Sequence, residues 1–118
     1  MKNLEIIRKV NAGFEAGDTD AILSHLTDDI RWHINGNLAA TNKEEFRKEV
    51  KNEAFEGTPV ITVKNELEDG DLAAVEGEVK ARFKGGAKFE GLFFDIYMLT
   101  DGKIKEMRSY VIEKKVNG

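Results

Sequence analysis

The chain has 118 residues, no cysteine and a formal net charge of −4. That length suits one domain with a core of its own, and the missing thiols exclude disulfides, thiolate metal sites and cysteine nucleophiles. Acidic and basic residues are mixed along the chain, so no basic stripe exists to attract a phosphate backbone and nucleic acid is not an expected partner.

The N-terminal stretch MKNLEIIRKVNAGFEAGD is charged throughout and has no unbroken apolar run. This argues against a leader or a membrane span and makes the cytoplasm the expected location. Leu4, Ile7, Val10 and Phe14 recur at helical spacing, opposite Glu5, Arg8, Lys9 and Glu15, and predict an amphipathic helix of about four turns. Gly17 can end it, and Asp18 can cap a second, shorter helix carrying Ala21, Ile22, Leu23 and Leu26. Thr27-Asp28-Asp29 breaks that helix. Ile30, Trp32 and Ile34 then alternate with Arg31, His33 and Asn35, which is a strand pattern closed by Asn35-Gly36-Asn37. Thr41 followed by Glu44 reads as a capping box for a third helix, with Phe46, Val50 and Ala54 inward and a Glu44–Lys48 pair outward.

After Gly57 the chain changes character. Residues 60–68, 72–84, 88–100 and 103–114 all read as strands, with turns at Asp69-Gly70, Gly85-Gly86 and Asp101-Gly102. Short turns in succession make an antiparallel meander, and Gly77 and Gly91 permit a bulge or bend inside it. The strand at 88–100 is apolar on both faces. Leu92, Phe94, Ile96 and Met98 alternate with Phe93, Tyr97 and Leu99, and Asp95 lies in the second set. The expected architecture is α+β: a curved antiparallel sheet with three N-terminal helices packed on its concave face, forming a single domain over 1–118. The helices cover only one side. The apolar outer face predicts a homodimer through the convex side of the sheet.

Asp95 is the chief candidate for chemistry. A carboxylate among Phe93, Tyr97 and Leu99 is costly to bury ionised, so it should be raised in pKa, paired, or at a pocket mouth. Arg108 on the neighbouring strand is its alternative, purely structural partner. A one-residue shift near Gly91 would instead turn Phe94 and Ile96 inward and take Asp95 out of the site. Glu106, Arg108 and Tyr110 are expected to share a face with Ile104 and Ile112, where Arg108 and Tyr110 could hold a ligand. Trp32, Phe93 and Tyr97 complete the expected substrate-binding set. His33 is expected to face away from the pocket and His25 to lie on the surface. Two such distant histidines make no metal site, and no glycine-rich phosphate loop precedes a helix.

The element order resembles the nuclear-transport-factor-like superfamily, nearest its SnoaL-like and ketosteroid-isomerase-like branches, which share the cystatin-like fold. Three segments carry the resemblance: FEAGDTDAILSHLTDDIRWHING, residues 41–50, and TDGKIKEMRSYV. It implies a mostly apolar pocket inside the cone and activity without a cofactor. The steroid isomerases' general-base aspartate is matched here by Ile34, their oxyanion tyrosine falls near Val10, and their second acid matches Asp95. The epoxide-hydrolase branch needs an aspartate where Ile112 stands and an arginine–aspartate pair near Gly77 and Val79, so the resemblance disfavours it. Two functions are expected to compete: an isomerase or cyclase moving protons on a small apolar carbonyl compound, and a non-catalytic dimeric module that binds a ligand or a protein.

Overall fold

A computed structural model describes residues 3–51 and 55–114. Helices α1 (Asn3–Ala16) and α2 (Thr19–Leu23) come first, followed by the hairpin β1 (Leu26–Ile34) and β2 (Asn37–Ala40). Helix α3 (Lys43–Val50) then leads into β3 (Phe55–Asp69), β4 (Leu72–Phe83), β5 (Lys88–Thr100) and β6 (Lys103–Glu113). The six strands form one sheet in the order β2-β1-β6-β5-β4-β3.

The expected meander of four long strands is present and antiparallel throughout. The sheet as a whole is mixed, because β1 runs parallel to β6. Helix α1 packs against β3, while α3 packs against β1 and β2. Between helices and sheet lies the core: Ile6, Ile7, Val10, Ile22 and Phe46 from above, and Leu26, Ile30, Val75, Tyr97, Leu99 and Ile104 from below. Full burial of each such side chain stabilises the fold by roughly 1.5–3 kcal/mol. On the exposed flank, Arg8 forms a bidentate pair with Glu66 (2.9 and 3.1 Å) that ties α1 to β3.

Several local expectations shift. Leu26 opens β1 rather than closing α2, because the strand begins before the Asp28-Asp29 pair. Asn35-Gly36 is a two-residue turn, both residues at positive φ, and β2 follows it. The cap of α3 moves by one residue. Asn42 accepts from the Glu45 backbone N–H (2.8 Å), and Glu45 reaches back to the backbone N–H (2.8 Å) and hydroxyl (2.6 Å) of Thr41. Glu44 faces Arg47 at 3.9 Å rather than Lys48. Of the expected inner stripe of α3, Phe46 is buried and Val50 half-buried, while Ala54 lies outside the described residues. The β3–β4 turn is Gly70-Asp71, and the β4–β5 connection is a longer loop closed by the Phe83 N–H on the Ala87 carbonyl (2.8 Å).

Gly77 marks a bend, as the sequence suggested. The β3–β4 register slips between Val63 and Asn65, opposite Gly77, so one extra β3 residue is accommodated there. A Cβ on Gly77 would lie 2.0 Å from the Thr62 carbonyl oxygen and 3.0 Å from Phe93 Cε1. Backbone stands on one side and a cavity-lining ring on the other, so nothing can yield cheaply. Gly77→Ala should cost about 3 kcal/mol, read as a lower urea midpoint at unchanged slope; a midpoint equal to wild type would show that the slip needs no glycine.

Candidate functional site

The helix layer and the sheet do not close on each other everywhere. Between them opens a cavity of about 710 Å³. Its deep wall comes from the sheet: Trp32 of β1, Phe93 and Asp95 of β5, and Met107, Ser109 and Val111 of β6. Asn11 and Phe14 of α1 face these residues from the helix side, and Phe55 and Phe89 stand nearer the rim. Trp32 is held flat by Phe46 of α3, stacked at 4.4 Å, with the Phe14 ring tilted 6.3 Å away. A second cluster at the rim joins Phe55, stacked on Phe83 at 5.0 Å, to the edge of Phe89. The volume falls within the range of small-molecule sites, and the lining is mostly apolar and aromatic.

The parity of β5 follows its sequence pattern. Phe93, Asp95, Tyr97 and Leu99 face inward, whereas Leu92 and Phe94 are exposed on the convex side. The β4–β5 register runs without a slip past Gly91, so Asp95 stays at the cavity. Tyr97 is fully buried beneath it and donates its hydroxyl to Asp95 Oδ2 (3.0 Å). Ser109, directly across the β5–β6 ladder, bonds the same carboxylate. The Ser109 hydroxyl oxygen in turn accepts from Trp32 Nε1 (3.0 Å), so an indole, a hydroxyl and a carboxylate form one buried chain.

These bonds favour the charged carboxylate, and burial opposes them. With Asp95 only 8% exposed, burial wins and pushes its carboxyl up to about 6. Tyr97, buried against that carboxylate, is driven well above the usual phenol range and stays a hydrogen-bond donor.

Arg108 and Tyr110 do not join the site. The β5–β6 register slips between Met98 and Leu99: Met98 faces Glu106, while Leu99 faces Ile104. The extra residue, Lys105, reverses the side on which every later β6 residue points. Ile104 is inward, but so then are Met107, Ser109 and Val111, while Arg108, Tyr110 and Ile112 are exposed on the convex face. Ile104 therefore does not share a face with Glu106, Arg108, Tyr110 and Ile112. Arg108 pairs with Glu106 (3.2 Å) and not with Asp95.

Ser109, Met107 and Asn11 were not anticipated. Two inward apolar residues three apart, Ile104 and Met107, cannot share a face of a regular strand, and that spacing marks the bulge. Asn11 stands four residues after Ile7 and three before Phe14, on the buried stripe of α1. His33 is half-buried away from the cavity, with Nδ1 lacking a hydrogen-bond partner among the described residues. No group of three or more possible metal-ligating side chains occurs among those residues. No helix among them is long and apolar enough to cross a membrane.

Among the described residues, three helices over a six-stranded mixed sheet, with an open apolar cavity between them, define the cystatin-like class of α+β cones. The profile of the SnoaL-like domain matches residues 7–107, and the chain belongs to that family. A protein from Jannaschia sp. CCS1, described as a candidate SnoaL-like polyketide cyclase, superposes with a TM-score of 0.81 at 23% identity, covering 92% of this chain and 84% of that one. A ketosteroid-isomerase-like protein from Catenulispora acidiphila, in complex with trimethylamine, gives 0.80 at 16% identity, covering 90% and 84%. An epoxide hydrolase of M. tuberculosis gives 0.81 at 13% identity, covering 93% and 82%. At such identities the structural matches show the fold. No curated protein matches the sequence.

The raised acid has a consequence for stability. Asp95 titrates near 3.9 when unfolded and about 6 when folded. The native state thus holds a proton that the unfolded chain has already lost between those values, and stability falls as pH rises through that window. The shift from 3.8 to about 6 is about two units, so the cost above pH 6 is about 3 kcal/mol. Asp95→Asn removes it. Urea midpoints measured from pH 4 to 8 should favour the variant by a margin that grows up to about pH 6 and then levels; a margin independent of pH would mean that Asp95 is not raised.

Proposed function

We propose that this SnoaL-like protein binds a small apolar carbonyl compound in the cone and moves a proton on it, as an isomerase or cyclase, with Asp95 as the acid–base group. The observation that carries this reading is Asp95 itself: a carboxylate on the wall of a cavity of about 710 Å³, raised to about 6. With that value it is mostly ionised near neutrality, so it can take a proton from a carbon beside a carbonyl. Its conjugate acid is strong enough to return the proton at another carbon or at oxygen. Ser109 and Tyr97 hold the carboxylate in position and stabilise its charge. Trp32 and Phe93 present apolar surface to a flat ligand. The cyclase description of the Jannaschia protein and the small-molecule complex of the Catenulispora protein support a ligand in this fold.

The loss of an aspartate at Ile34 favours a second reading, a module that binds the same class of ligand without turning it over. Solvent-deuterium exchange separates the two. In D₂O the protein should accelerate α-proton exchange of a ketone such as 2-tetralone, on a limb rising through about pH 6, and Asp95→Asn should lower the rate by about 10²-fold or more. Equal exchange by variant and wild type would remove Asp95 from the mechanism. Tight ketone binding without any exchange would establish the binding module.

We also propose that two copies pair through the convex face. Leu92 stands opposite Ile112 and Phe94 opposite Tyr110 across the β5–β6 ladder, and all four are exposed, Ile112 by 68%. The ion pairs Arg108–Glu106 and Lys114–Glu78 accompany that apolar patch. A face carrying both signs around an apolar centre suits a second copy of itself. Light scattering should give twice the chain mass for wild type and the chain mass for Phe94→Glu/Ile112→Glu; a wild-type monomer at high micromolar concentration would reject the pairing.

A further inference from the structure

We propose that Asn11 is the second polar anchor of the cavity, its side-chain amide donating to a carbonyl oxygen of the ligand; this deepens the binding reading above and rests on it. Asn11 is 9% exposed and lines the cavity from α1. Its position on the buried stripe, between Ile7 and Phe14, is one that leucine would fill at no polar cost. A primary amide brings two donors and an acceptor oxygen, and leaving them unpaired when buried is unfavourable. Yet the Asn11 side chain makes no hydrogen bond among the described residues. Asn11 borders the space that a ligand would fill.

The other deep donors are already committed. The Trp32 indole N–H goes to Ser109, and the Ser109 and Tyr97 hydroxyls go to Asp95. Asn35 is exposed at the β1–β2 turn, and its side-chain oxygen takes the Val111 N–H (2.9 Å). Deep in the cavity, acceptor capacity therefore lies with Asp95 and free donor capacity with Asn11, on opposite walls. Glu49, Glu56 and Glu113 add negative charge around the opening against Lys51. A ligand bearing its own carboxylate or phosphate would be repelled, whereas a neutral ketone offers the acceptor that Asn11 lacks.

Two matched probes test this at pH 8, where an ionised Asp95 can accept but not donate: 2-acetylnaphthalene, labelled with ¹³C at its carbonyl, and 2-ethylnaphthalene. Wild type should bind both, and the infrared carbonyl band of the bound ketone should move to lower wavenumber than in hexane. Asn11→Leu should abolish that shift and weaken the ketone about tenfold, leaving the hydrocarbon equal or tighter. A ketone bound by wild type without a band shift would overturn the proposal with no variant needed. So would a variant that retains both shift and affinity, or one that weakens both probes in parallel. Failure of wild type to bind either probe would instead sink the cavity reading, and Asn11 with it.

Discussion

The pairing of β5 with β6, and the single residue by which it slips, decides what this protein places in its interior. Upstream of the turn at Asp101-Gly102, β5 keeps a strict alternation that points Asp95 at the cavity. Downstream, the bulge at Lys105 re-phases β6, so that a serine and not an arginine stands beside that acid. Had Arg108 entered, the guanidinium would have held the carboxyl low and permanently charged. A neutral hydroxyl donor leaves burial as the stronger influence, and the acid titrates near neutrality instead. One extra residue in a hairpin thus separates a structural ion pair from a group able to exchange protons.

The interior is otherwise arranged to keep that group from being solvated. Stacked rings fix the indole that feeds Ser109, and a fully buried tyrosine closes the carboxylate from below. Each side chain in this chain bonds to the next, which is what makes so much burial of polar groups tolerable. The protein atoms packed around Asp95 on the cavity wall raise it, and its two hydrogen bonds keep the charged form accessible all the same.

Much of the architecture was legible because local signals agreed with one another: the helical stripe of α1, the Asp18 cap, the Asp101-Gly102 turn and the alternation of β5 all point to the same layers. The parallel partnership of β1 with β6 was not legible. No turn or spacing encodes which distant strand lies alongside β1; that depends on packing of Trp32 and Ile30 under the helices. Within the site, Asp95, Trp32, Phe93 and Tyr97 could be placed from alternation alone. Ser109 and Met107 could not, because alternation fails at a bulge. Asn11 carries no signal of its own, because one polar residue beside an apolar helical stripe fits a solvated edge as well as a cavity wall.

The adjacency of β1 and β6 also bears on how the chain reaches this state. The first strand has no long neighbour until the last one is made, so the β1–β2 hairpin must wait for residues more than seventy positions downstream, as the bond from the Val111 N–H to Asn35 illustrates. The N-terminal half is synthesised with its tryptophan-bearing strand paired only to the short β2, and the sheet closes once β6 is available. Such long-range closure slows folding relative to helical domains of similar size, and it leaves a nascent apolar edge for chaperones to shield.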